Sequence, residues 1–218
     1  MQIGELLGTG RTADVFAVDG HRVLRRYRAG RDAGREGAVM AHLAAGGFPV
    51  PRIFPGASQP TDLVMERLSG PTMLAALLEG TMAPARAGRI LAELLHRLHA
   101  VAPPPSARPG DRILHLDLHP DNVLLTPRGP VVIDWCNTEE GEPELDWAMS
   151  ALILAQAAVT GLAGQEAVRP LLASLLAAGP SLGGHLPRAR ARRAADPHMS
   201  PQESAALDGA VRLIGTIR

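Results

Sequence analysis

Apolar and polar positions change period along this chain, and the changes divide it into elements. Ile3 to Leu7, Val15 to Val18 and Arg22 to Tyr27 are short β-rich runs, and Asp19-Gly20 between the last two is a strong hairpin signal. Arg31 to Ala45 takes a helical period, with Val39, Leu43 and Ala44 on one face and Gly46-Gly47 as its stop. Pro49-Val50-Pro51 is extended, and Arg52 to Pro55 and Leu63 to Arg67 read as two further strands. Beyond Gly70 the period is almost entirely helical. Thr72 is placed to cap a helix, and Pro84 to Ala100 carries Ile90, Leu91, Leu94, Leu95 and Leu98 on one stripe. Ala102 to Gly110 is Pro-rich and reads as a loop. Helix resumes near Asp146 and runs to about Ala178, and Ser200-Pro201-Gln202-Glu203 is a capping box before a last helix ending near Ile217. Gly183 to His198, rich in Arg, Pro and Gly, reads as a connector or an exposed basic loop. The pattern predicts an α+β chain with a small antiparallel sheet holding one helix, then a mainly helical remainder.

Composition narrows the classes. With 218 residues the chain is long enough for one large domain or two small lobes around a cleft. Formal net charge is zero and aromatics are 3%, so neither nucleic acid nor an acidic membrane surface is an expected partner. The apolar run from Ala148 to Leu162 is short for a membrane span and is interrupted by Gln156, so a buried helix is expected. Cys136 is the only cysteine; no internal disulfide can form, and a reducing cytoplasm is expected, with Cys136 as a small packed residue. No signal peptide is apparent at the N-terminus. All 22 basic Lys-or-Arg positions are Arg.

The candidate chemistry concentrates in His115 to Trp135, HLDLHPDNVLLTPRGPVVIDW. Asp117 could orient or deprotonate a hydroxyl. Asn122 and Asp134 offer an amide oxygen and a carboxylate, a hard pair suited to Mg²⁺. Pro120 stiffens the loop that separates Asp117 from Asn122. Val123-Leu124-Leu125 and Val131-Val132-Ile133 flank a turn-rich stretch and read as a hairpin, which would bring Asn122 and Asp134 side by side as two ligands of one metal.

The pattern His115-x-Asp117-x-x-x-x-Asn122, a hairpin and then Asp134 resembles the catalytic and metal loops of the protein-kinase-like fold. With His119-Pro120 inside the loop and Asp134-Trp135 after it, the chain resembles the aminoglycoside phosphotransferase and choline kinase branch, the phosphotransferase enzyme family. The resemblance implies a two-lobed protein-kinase-like fold, with residues 1–68 as the nucleotide-binding lobe and 69–218 as the catalytic and substrate-binding lobe. It implies ATP, or GTP, with Mg²⁺, and transfer of the γ-phosphate to a hydroxyl of a small molecule. Leu7 to Val15 resembles the Gly-rich loop, with Gly8 and Gly10 present and Ala13 where a third Gly would stand. Arg25 aligns with the strand lysine that grips phosphates, and Glu36 is its expected ion partner. Arg26, next on the strand, is expected to face the other way into solvent. Leu63 to Leu68 resembles the hinge, so adenine should bond to backbone near Glu66 and Leu68. His115 and Asp146 are implied as structural supports of the catalytic loop, and His119 reads as a packed residue or a substrate contact.

Two features leave alternatives. Glu139, Glu140, Glu142 and Glu144 form an acidic run, expected as a solvated loop or as an attractor of a cationic acceptor. From Ser150 onward, however, four acids stand against seven Arg, which weighs against a polycation such as an aminoglycoside. Arg25 at a lysine site and the incomplete Gly-rich loop also admit a catalytically impaired, nucleotide-binding pseudokinase with a regulatory role.

Overall fold

The computed structural model describes residues 3–105, 107–161 and 165–217. The chain forms two compact units. The first comprises Met1–Gly70 with Leu124–Cys136, and the second comprises Pro71–Val123 with Asn137–Arg218.

The first unit holds a five-stranded antiparallel sheet. Its strands are β1 (Leu6–Thr9), β2 (Ala13–Ala17), β3 (Arg22–Tyr27), β4 (Ile53–Phe54) and β5 (Asp62–Glu66), ordered β1-β2-β3-β5-β4. Helix α1 (Gly34–Ala45) follows β3. The β2–β3 turn closes at Asp19, whose Oδ1 accepts from the His21 and Arg22 N–H groups at 2.8 Å each. The first strand begins at Leu6 rather than Ile3, and its register shifts between Leu6 and Gly8. Gly4 N–H still donates to the Ala17 carbonyl at 2.8 Å, so the irregularity is a bulge. The unit has an apolar core of Leu24, Met40, Leu43, Val64 and Val132, all at or near full burial, with Val23 at its margin. Trp135, fully buried, meets Phe48 edge to face at 5.7 Å. β6 (Arg112–Leu114) precedes the motif loop, and the hairpin after that loop is β7 (Val123–Thr126) and β8 (Gly129–Val132). The turn is tighter than the sequence suggested, because Thr126 Oγ1 donates to the Gly129 carbonyl at 2.8 Å and Gly129 takes φ +107°. Val132 N–H donates to the Pro49 carbonyl at 2.9 Å, which ties β8 into the unit.

The second unit is mainly helical. It contains α2 (Met73–Leu78), α3 (Pro84–Ala100), α4 (Pro143–Thr160), α5 (Gln165–Ala178), α6 (His185–Ala194) and α7 (Pro201–Ile217). The Thr72 side chain caps α2 by accepting from Ala75 N–H at 3.1 Å. The Ser200–Glu203 capping box forms, with Ser200 N–H to Glu203 Oε2 at 2.8 Å and Glu203 N–H to Ser200 Oγ at 3.2 Å. Gly161, left-handed at φ +77°, ends α4 where one continuous helical stretch had been expected. Leu91, Leu94, Leu95 and Leu98 of α3 are buried as their stripe requires. Where α3 meets α5 there is no room for a side chain at Gly88. A Cβ there would lie 2.2 Å from the Leu171 carbonyl oxygen.

Two expectations are corrected here. The Arg-rich stretch after Gly183 is largely helical, as α6. Arginine is a good helix former, Pro187 falls in the tolerated first turn, and the helix is held by ion pairs to acids of the same unit. Part of the acidic run is a strand, not a loop. β9 (Glu139–Gly141) pairs antiparallel with β6 (Arg112–Leu114), in the register Leu114↔Glu139. Among the described residues no helix is long and apolar enough to cross a membrane.

Candidate functional site

Within the first unit lies a cavity of about 320 Å³, a size suited to a small organic ligand. Leu7, Val15, Val23, Met65, Leu124 and Ile133 give it apolar walls, and Arg25, Glu36 and Asp134 are among its polar members. The alternation of β-strand side chains explains the wall. Val23 and Arg25 share a face of β3, and Arg25 stands opposite both Val15 and Leu63 in the sheet register. Gly8 and Gly10 are not part of the lining; both belong to the β1–β2 hairpin, where Gly10 N–H donates to the Ala13 carbonyl at 2.8 Å. A Cβ at Gly8 would meet nothing within 4 Å, so the protein itself does not require glycine there.

Arg25 sits at the centre of a buried charge cluster. Its Nη2 donates to Asp134 Oδ1 at 2.6 Å, and its Nη1 lies 3.3 Å from Glu36 Oε1. Its Nε is buried and has no hydrogen-bond partner. Burial opposes the guanidinium charge, but Asp134 and then Glu36 outweigh it, so the group stays firmly cationic. Glu36 also accepts from the Tyr27 hydroxyl and, at 3.1 Å, from Trp135 N–H. Burial pushes the Glu36 carboxyl upward against the opposing pull of Arg25 and the Tyr27 hydroxyl. Tyr27 itself is raised, first by burial and then by Glu36, and its ring lies 5.0 Å from the Arg25 guanidinium carbon. Arg26 faces away from this cluster, yet it is not left to solvent. It grips the buried Asp62 through two bonds of 2.8 Å.

Asp134 carries a second mark of a special position. Its φ of +64° lies in the left-handed region, uncommon for a side-chain-bearing residue, though Asp tolerates it better than most. The Cys136 thiol is pushed up to about 12, first by burial and then by Asp134, so it stays protonated at neutral pH. Glu66 N–H donates to the Arg52 carbonyl and Arg67 N–H to the His21 carbonyl, both at 2.8 Å. The Glu66 carboxylate binds Arg128. Leu68 also lines the cavity, and with the two preceding N–H groups committed it is the residue of this stretch whose amide suits a ligand.

The second unit holds the loop that bears Asp117. Asp146 at the start of α4 is fully buried and accepts from His115 N–H at 2.9 Å and Leu116 N–H at 2.7 Å. His99 Nε2 of α3 lies 3.0 Å from the same carboxylate. Burial would raise the Asp146 carboxyl, but His99, then His115 and the backbone donors, hold it below the usual range. Leu116, itself one of these donors, takes φ +63°, a strained geometry that bears on the direction of the next residue, Asp117. His115, fully buried, accepts from Asp117 N–H on Nδ1 at 3.2 Å. His119 caps the 3₁₀ turn at Pro120–Asn122, and its Nε2 lies 3.8 Å from Asp117 Oδ1. Asn122 Nδ2 donates to the Asp117 carbonyl at 2.8 Å, which leaves the amide oxygen as the atom Asn122 would offer a cation. His99 carried no sequence signal beyond its place near a helix end; its role depends on α3 packing.

Among the described residues no group of three or more His, Cys, Asp or Glu could hold a metal alone. Asn122 and Asp134 each offer an oxygen donor of the hard type, the class of ligand that Mg²⁺ takes alongside water and phosphate oxygens. The acids of β9 and of the approach to α4 are engaged by α6. Arg192 grips Glu139 through bonds of 2.7 and 2.8 Å, Arg188 binds Glu142, and His185 Nε2 lies 3.4 Å from Glu142.

A small antiparallel sheet with one helix, followed by a helical part, defines a kinase-like fold, and solved structures share it. The choline kinase LicA from Streptococcus pneumoniae matches with a TM-score of 0.62 at 10% identity, over 99% of this chain and 94% of that one. ADP-bound aminoglycoside phosphotransferase APH(2'')-Ib matches at 0.60 and 13%, over 99% and 94%. A thermostable mutant of aminoglycoside phosphotransferase APH(4)-Ia, in a ternary complex with AMP-PNP and hygromycin B, matches at 0.59 and 17%, over 99% and 90%. A family model described as the phosphotransferase enzyme family matches residues 4–113 and 105–190, so the chain belongs to that family. No curated protein matches the sequence.

Proposed function

We propose that the protein is an ATP-dependent phosphotransferase that moves the γ-phosphate to a hydroxyl of a small molecule. One observation carries the reading. In a chain of the phosphotransferase enzyme family, a buried guanidinium flanked by two carboxylates lines an apolar cavity of about 320 Å³. Adenine is assigned to the apolar walls, bonding to backbone at Glu66 and Leu68. The phosphates are assigned to Arg25 and the Gly8–Gly10 hairpin. Residues 1–68, completed by Leu124–Cys136, act as the nucleotide-binding part, and the rest of 69–218 acts as the catalytic and acceptor-binding part. Asn122 and Asp134 are assigned to Mg²⁺ on donor chemistry and motif spacing. Bound there, Mg²⁺ would offset the charge of the β- and γ-phosphate oxygens.

Asp117 has the chemical work. Its carboxylate orients the acceptor hydroxyl and takes its proton as the new O–P bond forms. The bond from the γ-phosphorus to the bridging oxygen breaks, and ADP leaves with the electron pair. His115 and Asp146 keep Asp117 in place. The acceptor is assigned as a hydroxylated molecule that is not gripped through Glu139 or Glu142, since Arg192 and Arg188 already engage them. The compartment assigned is the cytoplasm, in keeping with a single protonated cysteine.

A pseudokinase is the second reading, favoured by Arg25 at the lysine site and Ala13 in the Gly-rich loop. The decisive experiment measures Mg²⁺-dependent ADP release with a panel of aminoglycosides, amino alcohols and uncharged polyols. Acceptor-stimulated turnover that Asp117→Asn lowers by about a thousandfold or more, a loss in the range of a general base plus its positioning role, supports the enzyme. ATP binding with no transfer to any acceptor makes the pseudokinase reading the correct one.

A further inference from the structure

Arg25 engages two carboxylates at once. A lysine ammonium is a compact point charge, whereas the guanidinium fork holds two carboxylates on separate nitrogens, Glu36 on Nη1 and Asp134 on Nη2. The shorter contact, 2.6 Å, goes to Asp134, the carboxylate assigned to the metal. With one cation between two anions, the local formal charge of this trio is negative, which is unfavourable for a polyphosphate. The buried Nε, without a partner, shows that the present arrangement leaves the guanidinium incompletely satisfied.

We propose that Arg25 is a metal-gated phosphate ligand. Without a divalent cation, Asp134 holds its guanidinium and the nucleotide gains little from it. Neutralising Asp134 releases the Nη2 edge to the phosphates while Glu36 keeps Nη1. Nucleotide and divalent cation therefore bind cooperatively through one side-chain exchange inside the first unit. This inference rests on the reading of the cavity as a nucleotide site and adds to it the regulation of that site by the cation.

The test is a double-mutant cycle read by anisotropy of a fluorescent ADP analogue, with excess EDTA and with saturating Mg²⁺. Asp134→Asn removes the competing charge while keeping the side-chain shape. In EDTA it should tighten ADP binding by about tenfold relative to wild type, the size of an ordinary coupling between sites. Placed on Arg25→Gln, the same change should tighten binding by less than about threefold, because no guanidinium remains to be released. No gain from Asp134→Asn, or an equal gain in both backgrounds, overturns the proposal; the latter would mean simple relief of charge repulsion. Arg25→Met serves in place of Arg25→Gln if that variant does not fold, as judged by circular dichroism. A thioether carries no charge to be released, so the gain should again shrink, and an undiminished gain overturns the gate. Wild type that binds no ADP even with Mg²⁺ sinks the nucleotide reading itself, and the gate with it. Wild type that binds ADP while the cycle is additive sinks the gate alone.

Discussion

At Asp146 a fully buried carboxylate accepts from two successive N–H groups, the second that of a left-handed leucine. Its folded-state carboxyl lies below the usual value, so its contribution is complete above the unfolded value of about 3.9. That contribution is lost as pH falls through the depressed folded value. Asp146→Asn should therefore lower the melting temperature at pH 7, and the gap from wild type should narrow as pH is taken below about 4. A gap that stays constant from pH 7 to pH 3 would show that the charge of Asp146 is not what matters. Asp117, Asn122 and Asp134 were legible as candidates because phosphoryl transfer restricts side-chain type and spacing. The brace by His99 was not, because it joins α3 to α4 through packing that local sequence does not encode.

Elements follow their periods where one face is apolar, and depart from them where partners lie elsewhere in the chain. The α3 stripe is buried at Leu91, Leu94, Leu95 and Leu98 and only partly at Ile90, and the close approach of α5 shows at Gly88. Gly88→Ala should raise intrinsic helix propensity and yet destabilise, by roughly 1–3 kcal/mol, because the added methyl collides with the Leu171 carbonyl and the Ser174 Cβ. Urea unfolding checks this; a more stable variant would mean the two helices separate without cost. Helix α6 was not legible from its Arg, Pro and Gly content. Its order reflects contacts of Arg188, Arg190 and Arg192 with Glu142, Asp208 and Glu139, acids distant in sequence. These pairs are exposed, so each contributes little alone, and α6 also has the buried Ala189 to anchor it.

Across the whole molecule, the first unit is not one continuous segment. Leu124–Cys136 completes it, through Val132 to Pro49, Asp134 to Arg25, and Trp135 to Glu36 and Phe48. A fragment ending at Gly70 lacks the fully buried Trp135 and leaves Arg25 and Glu36 short of partners. Such a fragment should show no cooperative thermal transition and poor dispersion of amide resonances. A cooperative transition in the isolated fragment would show that the hairpin is dispensable to the unit.

The periods, the turn residues and the spacing of Asp117, Asn122 and Asp134 are local properties, so the linear sequence was enough to set the α+β class, most helices and strands, and the candidate chemistry. Solvent exclusion and charge pairing are not local. Only the folded chain decided that Arg25 reaches two carboxylates at once, that α6 engages the acidic run, and that Leu116 and Asp134 adopt left-handed backbone. Each depends on groups far apart in sequence being brought together by the fold, and such meetings leave no period to read.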